Sequence, residues 1–300
     1  MSEVIRDWQA YEAVPAMPAL PRTAHKGIAG RVQCICGSPE MPGAAQLVVR
    51  AAARGGAGLV TLVAMQTELI PRVCAVSPET IYVDCSRTKD LYVGRLPREI
   101  SGVLCHSRVV GPGLSPSGRT RELVRRLIED TFAGPLVLDA DALNVIAGAP
   151  ELLALSPSQV VITPHPGEAG RLLEREVAHD KEARISAAVE LARLADAICV
   201  LKGADTVVTD GERVFVNPSG NPAMATAGAG DVLAGLLGAY LAWSTQCGDS
   251  TFGVFEATVR AVYVHGLAGD LAAAQLGQRA TIASDLIEYL GAAQRQADAG

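Results

Sequence analysis

Residues 217–240 read NPSGNPAMATAGAGDVLAGLLGAY, and this stretch decides how the rest of the chain is organised. Its first half is Gly, Pro, Asn, Ser and Thr, residue types that place backbone in turns. From Asp231 onward, Val232, Leu233, Leu236, Leu237 and Tyr240 recur at helical spacing. The junction, Gly228-Ala229-Gly230-Asp231, puts small residues where that helix begins. Backbone N–H groups there lack intrahelical partners and lie at the positive end of the helix dipole. Such a terminus accepts an anion, and small residues let a phosphate come close to the backbone. A carboxylate at Asp231 repels that phosphate unless it has a task, and the task that fits is taking the proton of a hydroxyl as it attacks phosphorus. A plain helix cap is the other role open to it, because Asp is a preferred cap residue.

Composition narrows the field. Apolar residues make up 49% of the 300-residue chain and charged residues only 19%, which describes a well-buried globular protein. A net charge of −6 and few aromatic residues argue against a nucleic-acid surface, which needs basic patches or stacking platforms. The seven cysteines are scattered, with no CxxC pair, and suit reduced thiols better than a disulfide framework or a zinc site. No signal peptide is visible at the N-terminus. The one long apolar stretch, 223–243, carries Asp231 and several glycines, so a membrane span is not expected and the cytoplasm is the expected location.

Residues 1–24 form an arm spaced by Pro15, Pro18 and Pro21, expected to pack on the body or on another subunit, and 25–300 are expected to form a single catalytic domain. Strand-length apolar runs occur at 32–36, 59–64, 81–83, 107–110, 136–139, 160–163, 197–201, 206–209 and 214–216. Helix-period segments lie at 44–54, 119–132, 142–146, 182–194, 232–243 and 258–274. The alternation predicts an α/β chain with a mostly parallel sheet covered on both faces, and the last two strands, joined by Asp210-Gly211-Glu212, read as an antiparallel hairpin.

Ligands of such sheets bind beyond the carboxyl ends of the strands. Polar or Gly-rich text follows strand after strand: GSPEMPGAA at 37–45, GPGLS at 111–115, DADALN at 139–144, PHPGE at 164–168 and KGADT at 202–206. Together these supply phosphoryl transfer to a hydroxyl, which rests on positioning, charge neutralisation and a base. Asp231 is the candidate base, and the N–H groups of Ala229, Gly230 and Asp231 are the candidate cradle. Lys202 is a candidate for nucleotide phosphates, with a solvated strand-end lysine as its plain alternative. Asn144 and Glu168 suit the outer surroundings of a hydrated Mg²⁺, which takes few direct protein ligands. His165, held between two prolines, is a candidate to bond a substrate hydroxyl or amide, or serves structure alone; His25, His106, His179 and His265 lack such a setting. Walker A and GxGxxG patterns are absent from the sequence.

The Gly-Asp junction at a helix start resembles the ribokinase-like superfamily. The fuller set is similar to one branch of it, the ADP/ATP-dependent NAD(P)H-hydrate dehydratases. The matching text is HKG at 25–27, GRV at 30–32, GSPEMPGAA with RAAARGGAGLVTL, VVGPGLS, LDADALN, TPHPGEAGRLL, LKGADTVVTDG and NPSGNPAMATAGAGDVLAG, covering about residues 25–290. The resemblance implies a ribokinase-like three-layer α/β/α fold with a mostly parallel central sheet. It implies repair of NADH or NADPH hydrated across the C5–C6 bond, in the S configuration at C6: ADP or ATP phosphorylates the C6 hydroxyl and phosphate then leaves, a better leaving group than hydroxide. By the same resemblance Ala44, Gly113, His165 and Asp231 contact the hydrated cofactor, while Lys202, Gly203, Ala204, Asp205, Thr206 and Gly230 hold the nucleotide. It implies homotetramers. Because many relatives carry a fused N-terminal epimerase domain for which the segment before residue 25 is too short, it implies a separate NAD(P)H-hydrate epimerase as functional partner.

The text departs from the family pattern at Ile28-Ala29 after HKG, at Ala227 and Ala229 in the AGAGD junction, and at Ala223 in GNPAMAT. These changes keep the N–H donors. Two other functions compete. A ribokinase-like kinase of a small alcohol, such as a thiamine precursor or a sugar, shares the Gly-Asp junction but has no need of TPHPGE or GNPAMAT. A non-catalytic nucleotide-binding protein has no need of Asp231.

Overall fold

The computed structural model describes residues 8–88, 96–178 and 180–299. In chain order the first half runs β1 (Gln9–Ala10), β2 (Arg31–Ile35), α1 (Pro42–Arg54), β3 (Leu59–Ala64), α2 (Leu69–Cys74), β4 (Ile81–Asp84), α3 (Arg98–Ser101), β5 (Ser107–Val110) and α4 (Gly118–Ile128). Then come β6 (Leu136–Leu138), α5 (Asp141–Asn144), β7 (Val160–Ile162), α6 (Pro166–Leu172), α7 (Lys181–Ala195) and β8 (Ala197–Leu201). The chain ends with β9 (Val207–Thr209), β10 (Arg213–Val216), α8 (Ala229–Ser244), α9 (Val254–Leu276) and α10 (Ala283–Ala299).

Among the described residues ten strands form one sheet, in the order β1-β10-β9-β8-β7-β6-β5-β2-β3-β4. From β8 to β4 every neighbour is parallel, and β9 runs antiparallel to both β8 and β10, as the short 210–212 turn predicts. The central strands β5 to β8 are buried along their whole length, which is why they read as unbroken apolar runs. Side chains alternate between the faces: Val109, Val137 and Val161 join one core, Val110, Leu138 and Ile162 the other. The first core is closed by α1, α2, α8, α9 and α10, the second by α3 to α7, giving three layers.

α8 is buried on nearly every side, so its residues are apolar all round and its glycines have packing reasons. A Cβ on Gly238 would stand 2.6 Å from Val109 Cγ2 and 2.9 Å from Val32 Cγ1, so only glycine lets the helix lie this close to the sheet. Leu236 and Leu237 are fully buried beside it, and truncating either to Ala is expected to cost about 2–5 kcal/mol.

The sequence reading missed the edge strand β1, the helix α10 and the short helices α2, α3 and α6. The arm supplies an edge strand: β1 pairs with β10, Tyr11 packs edge-on to Phe255 with ring centroids 5.2 Å apart, and Trp243 Nε1 donates to Pro18 O at 3.0 Å. Its described part therefore lies on its own chain. α10 is a full helix outside the expected set, although its buried residues Ala283, Leu286, Ile287, Leu290 and Ala293 follow helical spacing. The seven cysteines are free, with Cys34 and Cys36 in the core. No helix of the described residues is long and apolar enough to cross a membrane.

Candidate active site

Strand order reverses between β2 and β5, and ligands of such sheets bind at the carboxyl end of that switch point. The loops that follow these two strands are tied at their base, where Gly37 N donates to Pro112 O at 2.7 Å. Above that tie Gly113 takes φ +66°, and a Cβ there would stand 2.8 Å from Ala44 Cβ on the first turn of α1. Ala44 and Gly113 are thus brought together at the switch point. The next turn of α1 carries Leu47, which packs against Gly228 at the start of α8.

Gly228, at φ +90°, turns the chain into α8. Of the three N–H groups expected to cradle phosphate, that of Ala229 donates to Thr226 O at 3.4 Å, whereas those of Gly230 and Asp231 have no partner among the described residues. The unpaired N–H groups are therefore those of Gly230 and Asp231. The side-chain position of Gly230 lies 3.4 Å from Lys202 Nζ and 4.0 Å from Asp139 Oδ2.

Lys202, at the end of β8, bonds Asp139 Oδ1 at 2.7 Å and lies 3.8 Å from Glu168 Oε2. Burial pulls the lysine pKa down, but Asp139, Glu168 and Asp231 outweigh it and the net shift is upward, so the amine stays charged. Asp231 is pushed up to about 7, first by burial and then by the negative charge of Asp139; Lys202 pulls it down and Asp141 pushes it up again. A carboxylate poised near neutrality is suited to accept and release a proton.

His165 caps α6: its Nδ1 accepts from Gly167 N at 3.0 Å and Glu168 N at 3.3 Å, while Glu168 Oε2 accepts from His165 N at 2.8 Å. An accepting Nδ1 places the hydrogen of the neutral ring on Nε2. With the side chain 51% exposed, that N–H can reach a ligand. Asn144 closes α5, and its Oδ1 accepts from Arg171 Nε at 3.1 Å and Nη2 at 2.8 Å, which occupies both lone pairs. Gly203, Ala204 and Asp205 are exposed on the loop after β8, and Thr206 Oγ1 bonds back to Gly203 O at 2.9 Å.

Asp139, 1% exposed, and Asp141 were legible as strand-end carboxylates, but only the fold sets them against Asp231. Arg184, on α7, bonds Ala204 O and reaches Leu201 O at 3.4 Å and Lys202 O at 3.5 Å, so one guanidinium ties down the start of the 202–206 loop. Its signal is a basic residue on the stripe shared by Ala188, Leu191 and Ala192. His265, dismissed by sequence, is 8% exposed beneath the start of α8 and bonds Ala229 O at 2.9 Å; His179 lies outside the described residues. The signature 217–221 is built into the scaffold: Asn217 and Ser219 bond carbonyls of α9, and Asp270 holds Gly220 N and Asn221 Nδ2.

The model of the NAD(P)H-hydrate dehydratase family matches residues 32–291, from β2 into α10. The chain belongs to the NAD(P)H-hydrate dehydratase family. A relative from Moorella thermoacetica, the bifunctional NAD(P)H-hydrate repair enzyme Nnr, is 37% identical over 290 residues, covering 91% of this chain and 51% of the relative. The chain spans about half the length of the curated relatives it matches. Among solved structures, the ADP/ATP-dependent NAD(P)H-hydrate dehydratase of Bacillus subtilis, co-crystallised with ATP and Mg²⁺, superposes with a TM-score of 0.80 at 28% identity, covering 94% of this chain and 95% of that one. A ribokinase-like superfamily protein of Enterococcus faecalis superposes at 0.77 with 22% identity over 99% of both chains. The fold of this family member is ribokinase-like.

Proposed function

We propose that the protein restores hydrated nicotinamide cofactors, dehydrating S-NADHX and S-NADPHX to NADH and NADPH at the cost of ADP or ATP. One observation carries the chemistry: a carboxylate with its pKa near 7 stands at a helix start whose free N–H groups face a charged lysine. Family membership and the nucleotide-bound B. subtilis relative support the substrate and the donor.

In this scheme Asp231 takes the C6 hydroxyl proton as that oxygen bonds the terminal phosphorus of the nucleotide and the bond from that phosphorus to its bridging oxygen breaks, releasing AMP from ADP or ADP from ATP. The N–H groups of Gly230 and Asp231, together with Lys202, meet the charge on the transferring group. The ring-nitrogen electron pair then expels phosphate from C6, and loss of a C5 proton restores the double bond. Ala44, Gly113 and the Nε2–H of His165 are assigned to the dinucleotide, and the 202–206 loop to the adenine nucleotide.

The donor set fits a divalent cation that arrives with phosphates. Asp139, Glu168 and Asp231 act on the single amine of Lys202, and Asp141 acts on Asp231, so carboxylates outnumber cations here. Among the described residues no three His, Cys, Asp or Glu side chains converge as a cation cage. Bound Mg²⁺ neutralises phosphate charge. Glu168 is the better placed of the two proposed outer groups, since Arg171 occupies the Asn144 oxygen.

The proposal includes homotetramers and an epimerase activity, on this or another chain, that supplies the S epimer. Purified protein given S-NADHX, Mg²⁺ and ADP or ATP should gain the near-ultraviolet absorbance of dihydronicotinamide only when nucleotide is present. Folded protein with no gain from either nucleotide would sink the proposal in favour of a small-alcohol kinase.

A further inference from the structure

The Ala229 carbonyl and the Gly230 N–H are two ends of one peptide unit. A trans peptide is planar, so its C=O and N–H point in opposite directions, and whatever holds one end aims the other. The carbonyl end is held from two sides: it accepts an intrahelical bond of α8, from Leu233 N, and His265 Nε2, on α9, lies 2.9 Å from its oxygen. A carbonyl oxygen only accepts, so Nε2 carries the hydrogen. The N–H end is free and belongs to the cradle, on the side where the Gly230 side-chain position lies 3.4 Å from Lys202 Nζ.

We infer that His265 is a positioning residue for phosphate binding: its bond to Ala229 O aims the Gly230 N–H at the transferring phosphoryl group. The inference rests on the function proposed above and adds to it a residue that never touches the ligand. Burial lowers the His265 pKa to about 4, opposed by the bond to Ala229 and reinforced by the charge of Lys202, so the ring stays a neutral donor throughout the working range. α9 also anchors the preceding loop, through Asp270 on Gly220 and Asn221 and through Tyr263 O on Ser219. His265 is the α9 side chain that continues this anchoring into the first turn of α8.

The test compares binding of ADP with Mg²⁺ against binding of adenosine, by calorimetry, alongside dehydratase kinetics. His265→Leu, close in volume but without a donor, should weaken ADP about tenfold, leave adenosine within about twofold, and lower kcat by about tenfold; a lost hydrogen bond to a charged group is of this size. His265→Gln, whose amide nitrogen can stand where Nε2 stands, should recover most of both. Equal losses for ADP and adenosine, no loss for either, or a Gln variant no better than Leu would overturn the inference. Should His265→Leu fail to fold, Gln against Asn decides, because the Asn amide is one carbon short: Gln retaining ADP selectivity and Asn losing it supports the inference, and equality refutes it. Failure of the proposed function itself looks different: wild-type protein would then show no dehydratase turnover, while the ADP-against-adenosine comparison would still decide the role of His265.

Discussion

Lys202 Nζ stands 2.7 Å from Asp139 Oδ1, and the pair faces Asp231 from across the start of α8. The two partners pull the Asp231 carboxyl in opposite directions, Asp139 upward and Lys202 downward. Asp139→Asn removes the upward pull and keeps an oxygen for Lys202. The acid limb of kcat/KM, expected near pH 7 in wild type, should therefore move to lower pH in this variant. An unmoved limb in a pH–rate profile would show that Asp231 is not the group being titrated.

Asp231→Asn should lower kcat by about 10²–10⁴-fold, the usual range for a lost general base, while nucleotide affinity by calorimetry changes little. The same variant carries a stability signature. The folded-state pKa of about 7 lies above the ordinary 3.8, so wild type loses stability as pH rises from about 4 to 7 and levels off above that. The Asn variant lacks that fall and should melt higher than wild type at pH 8, with the difference shrinking towards pH 4.

Lys202→Met leaves Asp139 buried without its cation, a loss of about 3–5 kcal/mol for a buried pair broken on one side. The double variant Lys202→Met with Asp139→Asn should recover part of that stability in denaturant titrations. Nucleotide affinity should fall in both, because neither restores a positive charge at the phosphates.

His165 has two separable duties. His165→Ala removes the α6 cap and should cost about 0.5–2 kcal/mol. His165→Asn keeps a capping oxygen and loses the Nε2–H, so it should hold near wild-type stability yet weaken dinucleotide more than nucleotide. Equal weakening of both ligands would remove His165 from the dinucleotide site.

Arg184→Ala frees the Ala204, Leu201 and Lys202 carbonyls. The KM for nucleotide should rise several-fold with that for the dinucleotide near wild type. Arg184→Lys should not rescue it, since one ammonium cannot reproduce the planar fork. Steady-state kinetics with each substrate varied in turn measures this.

Much of the fold was legible because its signals are local. Central strands buried on both faces read as unbroken apolar runs, and 210–212 marked the hairpin between β9 and β10. α10 was outside the expected helices, although its buried residues follow helical spacing. β1 was not legible, because a two-residue edge strand has no periodicity and forms only where β10 offers its edge.

Sequence by itself determined the helix start at Gly228–Asp231, the strand-end loops and the chemistry of their side chains, since turn residues and apolar spacing act within a few positions. Only the tertiary structure decided which carboxylates repel Asp231, which guanidinium pins the 202–206 loop, and that His265 reaches Ala229 from 36 positions away. Charge coupling and hydrogen bonding depend on distance in space. β6, β8, α8 and α9 bring Asp139, Lys202, Asp231 and His265 to one end of the sheet, and that convergence exists only once the chain has folded.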